Sequence, residues 1–225
     1  MPDADVRFTP LIIDGERRPA STGVTFPVRS PHTGALASTS AAASSEDCRE
    51  AIDSAQRAFP AWEATSFAMR RDIMLRAAET IQSEAWQKKV EPVMLAEVAA
   101  PRAHVLFNCV ASVSILKSVA TLVNELKGET LPSITPGGHV FVQRRALGVV
   151  YVFFFASPST PRVVSCGGAY LGYRYSVVPW NAPLVLMLAN VTIPLICGNT
   201  VVVRPSEYCP YTSYLVVDAL QHVSG

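Results

Sequence analysis

Charge is scarce in this chain and nearly balanced: 16% of its 225 residues are charged, 19 basic against 18 acidic. A net charge of +1 gives no basic field to hold nucleic acid or an anionic membrane, so neither is expected as a partner. Cysteine is sparse too. Cys48, Cys109, Cys166, Cys197 and Cys209 are odd in number and irregularly spaced, with no Cys-x-x-Cys pair. That pattern argues against a zinc site and against a disulfide framework, and it fits reduced thiols in a cytoplasmic protein. Residues 1–10 carry Asp3, Asp5 and Arg7 without an apolar core, so they do not read as a secretory signal.

Apolar residues are plentiful, at 49%, which fits a globular chain of one large or two small domains. Ser176–Gly198 holds no formal charge and is long enough to span a bilayer. Pro179, Pro183 and Pro194 interrupt it, and its asparagines would need partners in lipid, so a buried strand and helix fit better. A weaker membrane reading would join 149–158 to 176–198. Ser176–Val178 reads as a short strand that breaks at Pro179-Trp180-Asn181. An apolar helix then runs to Cys197, Gly198-Asn199 turns, and Thr200–Val203 is a β-branched strand ending at Arg204-Pro205-Ser206-Glu207. Strand, helix, strand is the grammar of a parallel sheet, whose ligands sit at the carboxyl ends of the strands. Trp180-Asn181 and Arg204–Glu207 both fall there.

Pro-Trp-Asn, Pro-Leu-Ile-Cys-Gly-Asn-Thr-Val-Val-Val and the basic-x-x-Glu after it stand together at one characteristic spacing. In these the chain resembles the aldehyde dehydrogenase superfamily, and within it the salicylaldehyde, benzaldehyde and vanillin dehydrogenase group. Leu-Ile-Ile-Asp-Gly-Glu at 11–16, Ser-Pro-His-Thr-Gly at 30–34, Ala-Phe-Pro-Ala-Trp at 58–62 and Lys-Gly-Glu-Thr-Leu-Pro at 127–132 extend the likeness. The resemblance implies an α/β fold: helices and β-edge strands over 1–150, leading into the first βαβ of an incomplete parallel nucleotide-binding sheet over 175–225. It also implies a homo-oligomer, because the opening strands reach a partner subunit in many members.

Read in order, the chain gives strands at 11–14, 25–29 and 35–40. Ser44 with Glu46 and Asp47 starts a helix, and Ser66 caps another through about Glu84. Arg70 and Arg71 read as a solvated helix face rather than an anion site. Residues 86–99 and 102–127 read as helices, and 139–145 as a strand. Where the family has Glu-Thr-Gly, this chain has Glu97-Val98-Ala99, so a different turn is expected there. Residues 151–174 separate Gly148-Val149-Val150 from Tyr175-Ser176-Val177-Val178-Pro179-Trp180-Asn181. Deleting them restores an uninterrupted family match, so the segment reads as an insertion, possible retained intron sequence or a gene-model artefact.

The resemblance carries roles to particular residues. Asn181 matches the oxyanion-stabilising asparagine, whose amide donates to the developing alkoxide; capping the following helix is its plainer role, and the two can coexist. Glu207 matches the carboxylate that accepts from adenosine ribose hydroxyls, and Arg204 takes the place of the usual lysine. Val178, Pro179 and Trp180 would line the cofactor wall, with Ser206 a weaker carry-over. The cofactor is NAD or NADP, and the substrate is a small aldehyde, aromatic by this likeness. The family's catalytic cysteine and general-base glutamate match nothing in these 225 residues. Cys197, read as buried, and Cys209 are not substitutes. The expected function is therefore that of a truncated, inactive aldehyde dehydrogenase; the alternative is a non-catalytic fragment or partner subunit.

Overall fold

The computed structural model describes residues 7–153, 175–177 and 180–223. Five short strands open it: β1 (Arg7–Thr9), β2 (Leu11–Ile13), β3 (Glu16–Arg18), β4 (Thr25–Arg29) and β5 (Leu36–Ala41). β5 lies between β1, parallel to it, and β4, antiparallel to it. β2 and β3 form a hairpin around Asp14-Gly15, both at positive φ, the backbone a two-residue turn of this kind requires. β1 and β3 are additions to the strands read from sequence. Glu16–Arg18 is charged throughout, so no apolar alternation marks it. Ion pairs hold it instead, Arg17 to Asp218 and Arg18 to Glu50.

Four helices follow: α1 (Ser45–Glu63), α2 (Phe67–Gln82), α3 (Glu84–Val98) and α4 (Arg102–Thr121), the last tightening into a 3-10 turn at Leu122–Glu125. The hydroxyls of Ser44, Ser66 and Ser83 cap the first three. At Ser44 the cap is reciprocal, because Asp47 accepts from the Ser44 backbone N–H at 2.8 Å while its own N–H donates to the serine hydroxyl. β6 (Glu129–Pro132) and β7 (His139–Val142) make an exposed antiparallel hairpin; β6 is a further addition, and β7 stops three residues short of the 139–145 reading.

The last part is a parallel sheet in the order β10-β8-β9, from β8 (Val149–Phe153), β9 (Tyr175–Val177) and β10 (Thr200–Arg204). Helix α5 (Pro183–Ile196) lies between β9 and β10 in sequence, and α6 (Pro210–His222) follows β10. The strand-helix-strand unit is therefore present, but its two strands flank β8 instead of touching. Tyr151–Phe153, assigned to the insertion by sequence, complete β8. Residues 154–174, the rest of that segment, lie outside the described residues.

The core joins α2–α6 to the sheet through fully buried side chains such as Met74, Met94, Leu116, Val152, Leu188 and Leu215. Each such side chain is worth about 1.5–3 kcal/mol relative to exposure. Among the described residues, Arg102–Glu125 is long and apolar enough to cross a membrane by length and composition alone. Here it buries Val105, Cys109, Leu116 and Val119 in the core. In the uncharged stretch read as strand and helix, α5 buries Leu184, Met187, Leu188 and Val191.

Two buried charges organise the packing. Arg70 is 4% exposed, not a solvated helix face. Its guanidinium donates to the carbonyls of Glu63, Thr65 and Ile196 and to the Thr65 hydroxyl, at 2.9–3.0 Å. It passes so close to Gly198 that a Cβ there would meet Nη1 at 2.9 Å, and that residue also sits at φ +90°. Arg71 does face solvent, paired with Asp72. Glu97 is 3% exposed and accepts from the Tyr211 and Thr212 backbone N–H groups (3.0 and 2.9 Å), the Thr212 hydroxyl (2.8 Å) and the Ser38 hydroxyl (3.1 Å). Its carboxylate thus fills the N-terminus of α6, where orphan donors and the helix dipole favour an anion. Burial pushes the Glu97 carboxyl above its ordinary value, and the bonds from Thr212, Tyr211 and Ser38 offset that only in part. Two residues on, Ala99 sits at φ +52° and closes α3 in the left-handed conformation usually left to glycine. The turn that the missing glycine put in question is thus left-handed, at a strain of about 1 kcal/mol.

Glu97→Gln keeps one acceptor and turns an NH2 group against converging donors. It should cost about 3 kcal/mol of unfolding free energy, read by urea denaturation. Asp47 gives a pH signature. Hydrogen bonds from Ser44 and Ser21 hold its carboxyl below the ordinary value, against a smaller opposing effect of burial. A depressed folded value means that its stabilisation is complete above the ordinary carboxyl pKa and disappears as pH falls through the folded one. Asp47→Ala should therefore cost about 1 kcal/mol at neutral pH, and the gap to wild type should close under acid in thermal melts.

Candidate active-site edge

The carboxyl ends of β9 and β10 feed the two segments that the sequence marked. After β9, Trp180 and Asn181 lead into α5, which opens with Pro183 at its first turn. Val178 and Pro179, expected on the cofactor wall, lie outside the described residues. Arg204 ends β10, and the loop Pro205–Cys209 then enters α6. The Trp180 and Tyr208 rings meet edge to face, with centroids 6.2 Å apart, so the two loops come together at one edge of the sheet.

Asn181 is exposed, and its backbone carbonyl lies 2.8 Å from His104 Nε2 on α4. Its side chain does not cap α5. The N-cap is Ala182, which makes no side-chain hydrogen bond, so the plainer role gives way. Glu207 is half-buried; its Oε2 is sealed from solvent and has no hydrogen-bond partner among the described residues. Ser206 is buried, and its hydroxyl accepts from the Tyr208 N–H at 3.3 Å, which shapes the loop. Arg204 is exposed at the strand end. Asn199, one residue before β10, is a structural brace. Its Oδ1 accepts from the Leu147 and Gly148 N–H groups at 2.6 and 3.1 Å, fixing the entry to β8. No motif marks His104, an isolated histidine near the start of an apolar helix. A surface hollow of 560 Å³ runs along α4 past Val110 and Lys117 and contains none of these residues.

No group of three or more metal-ligating side chains occurs among the described residues. Cys109 and Cys209 are fully buried. Burial pushes Cys109 up to about 11 and raises Cys209 as well. Cys197 is half-buried at the C-cap of α5, more open than its sequence reading suggested.

The family model for the aldehyde dehydrogenase family matches residues 18–154 and 169–224. The chain belongs to that family. Its match breaks over 155–168, within the segment that the sequence singled out. Vanillin dehydrogenase of Pseudomonas fluorescens is 35% identical over 94% of this chain and 38% of its own length. Salicylaldehyde dehydrogenase of Pseudomonas putida is 29% identical over 95% of this chain and 39% of its own. Among solved structures, a salicylaldehyde dehydrogenase from Pseudomonas putida G7 complexed with salicylaldehyde superposes at TM-score 0.83 with 27% identity, covering 97% of this chain and 40% of its own. A NAD-dependent benzaldehyde dehydrogenase from Corynebacterium glutamicum superposes at 0.81 with 25% identity, over 99% and 43%. The chain thus spans about two fifths of these aldehyde dehydrogenases, and it corresponds to an N-terminal part of the fold.

Alkylation under mildly alkaline native conditions should leave Cys109 and Cys209 unmodified while the half-buried Cys48 and Cys197 react, as read by peptide mass mapping. Labelling of Cys109 at the rate of Cys48 would contradict its depth.

Proposed function

We propose that this chain supplies the adenosine-side wall and the oxyanion donor of an NAD(P)+-dependent enzyme that oxidises an aromatic aldehyde to its acid. The observation that carries the reading is Glu207 Oε2, enclosed at the carboxyl end of a parallel strand without a donor among the described residues. A carboxylate oxygen in that condition fits a ribose diol, whose hydroxyls would donate to it. Trp180 and Tyr208 would wall the adjoining space. Arg204 would bring positive charge toward the phosphates as a planar fork where relatives carry a lysine point charge. When bound, the dinucleotide supplies a hydride acceptor. Asn181, exposed at the entry to α5, would donate its amide N–H to the aldehyde oxygen as that oxygen gains negative charge. That donation stabilises the transition state more than the ground state.

The aromatic substrate class rests on the vanillin, salicylaldehyde and benzaldehyde enzymes among the relatives. In this reading the attacking thiolate and the base for hydrolytic water come from the portion of the family fold that these residues do not span. Neither Cys109 nor Cys209 can replace the nucleophile, because both are buried with raised pKa values. The 225 residues alone are then expected to bind nucleotide weakly and to leave aldehyde unoxidised.

Calorimetric titration of NAD+ and NADP+ into the chain tests this. Wild type should bind at least one of them, and Glu207→Ala should weaken that affinity at least ~10-fold, the loss of one charge-assisted hydrogen bond. Equal affinities, or no binding by wild type, would overturn the assignment.

A further inference from the structure

We propose that His104 is a positioning residue for Asn181, holding the turn that carries it by donating a hydrogen bond from Nε2 to the Asn181 backbone carbonyl. The separation is 2.8 Å. A carbonyl oxygen can only accept, so the ring must carry its proton on Nε2, which fixes the neutral tautomer.

The histidine is itself braced from two sides. One helical turn further on, Asn108 is fully buried, and its Nδ2 donates to the His104 carbonyl at 3.0 Å. The Phe107 ring stacks on the imidazole, with centroids 6.0 Å apart and planes 29° apart. His104, Asn108 and Ser112 recur every four residues on α4 and make one polar line on a helix whose other buried side chains are mainly apolar. The His104 end of that line meets the Asn181 carbonyl, while Asn108 Oδ1 and Ser112 Oγ within it have no hydrogen-bond partner among the described residues. The arrangement matters because, among the described residues, no side-chain cap fixes the start of α5, and Trp180 holds the turn only through its edge-to-face ring contact with Tyr208. Ala182 makes no side-chain cap, Pro183 offers no N–H, and Asn181 is solvent-exposed. His104 is therefore a tie from the helical layer to the backbone that aims the Asn181 amide. Its consequence for aldehyde chemistry rests on the proposed function, since an oxyanion donor is effective only when it is held in place before charge develops. The tie and the tautomer rest on geometry alone.

Nitrogen-15 NMR of the 225-residue chain tests both. Long-range ring correlations of the neutral imidazole in wild type should show the Nε2–H form; an Nδ1–H form would overturn the proposal. Backbone order parameters at Asn181, Ala182 and Leu184 should fall in His104→Ala from roughly 0.85 toward 0.6 or below. His104→Gln, which can still donate, should keep them high, and the thermal midpoint should stay that of wild type in both variants. Unchanged order in His104→Ala, or loss of order in His104→Gln as large as in His104→Ala, would overturn it. If His104→Ala fails to fold, the wild-type tautomer still decides. None of these readouts involves nucleotide or turnover, so they stand apart from the dehydrogenase reading.

Discussion

A single buried carboxylate ties together parts of the chain that lie far apart in sequence. Glu97, in the last turn of α3, reaches back to Ser38 on β5 and forward more than a hundred residues to the first turn of α6. A carboxyl group this deep is tolerated only because donors converge on it and a helix N-terminus faces it. The loop carrying Glu207 runs straight into that helix, so the depth of Glu97 sets where the loop ends. A left-handed alanine two residues on lets α3 stop at that point, and the local strain is offset by the bonds it makes possible.

Arg70 does comparable work where α1, α2 and α5 meet. Its guanidinium gathers carbonyls from the end of α1 and the end of α5, and Gly198 leaves room for it to pass. Directly beyond, Asn199 clamps the entry of β8. Trp62 adds a bond from its indole N–H to the Leu195 carbonyl at 3.1 Å. The end of α5 is therefore held by the helical layer, while its beginning is held by His104. The segment between Asn181 and Thr200 is anchored at both ends by side chains from outside the nucleotide-type sheet.

Much of this was legible in the sequence because the signals were local. Ser44 and Ser66 announce helix starts through their own hydroxyls, and the Pro183, Gly198 and β-branched 200–203 pattern marks the helix and strand around them. The family likeness carried the rest of the order. What stayed hidden depends on partners distant in sequence. β1 is three residues long and exists because β5 lies beside it. Arg70 sits next to another arginine in a pattern typical of a wet surface; carbonyls at 63, 65 and 196 draw it inward. The placing of β8 between β9 and β10 cannot be inferred from a strand-helix-strand pattern, which says nothing about a third strand arriving from upstream. His104 has no motif of its own, and its partner is a backbone atom.

β8 and β9 also pose a question of tenancy. Their register sets Tyr151 beside Tyr175, Val152 beside Ser176 and Phe153 beside Val177. A chain running directly from Val150 to Tyr175 would place Tyr175–Val177 in the lane now held by Tyr151–Phe153 against Val202–Arg204. The lane next to it would fall vacant, leaving a row of unpaired backbone donors and acceptors. The longer chain closes that border with its own backbone. The shorter one would leave it open to whichever strand comes next, so the two forms would differ in their capacity to extend the sheet more than in their core.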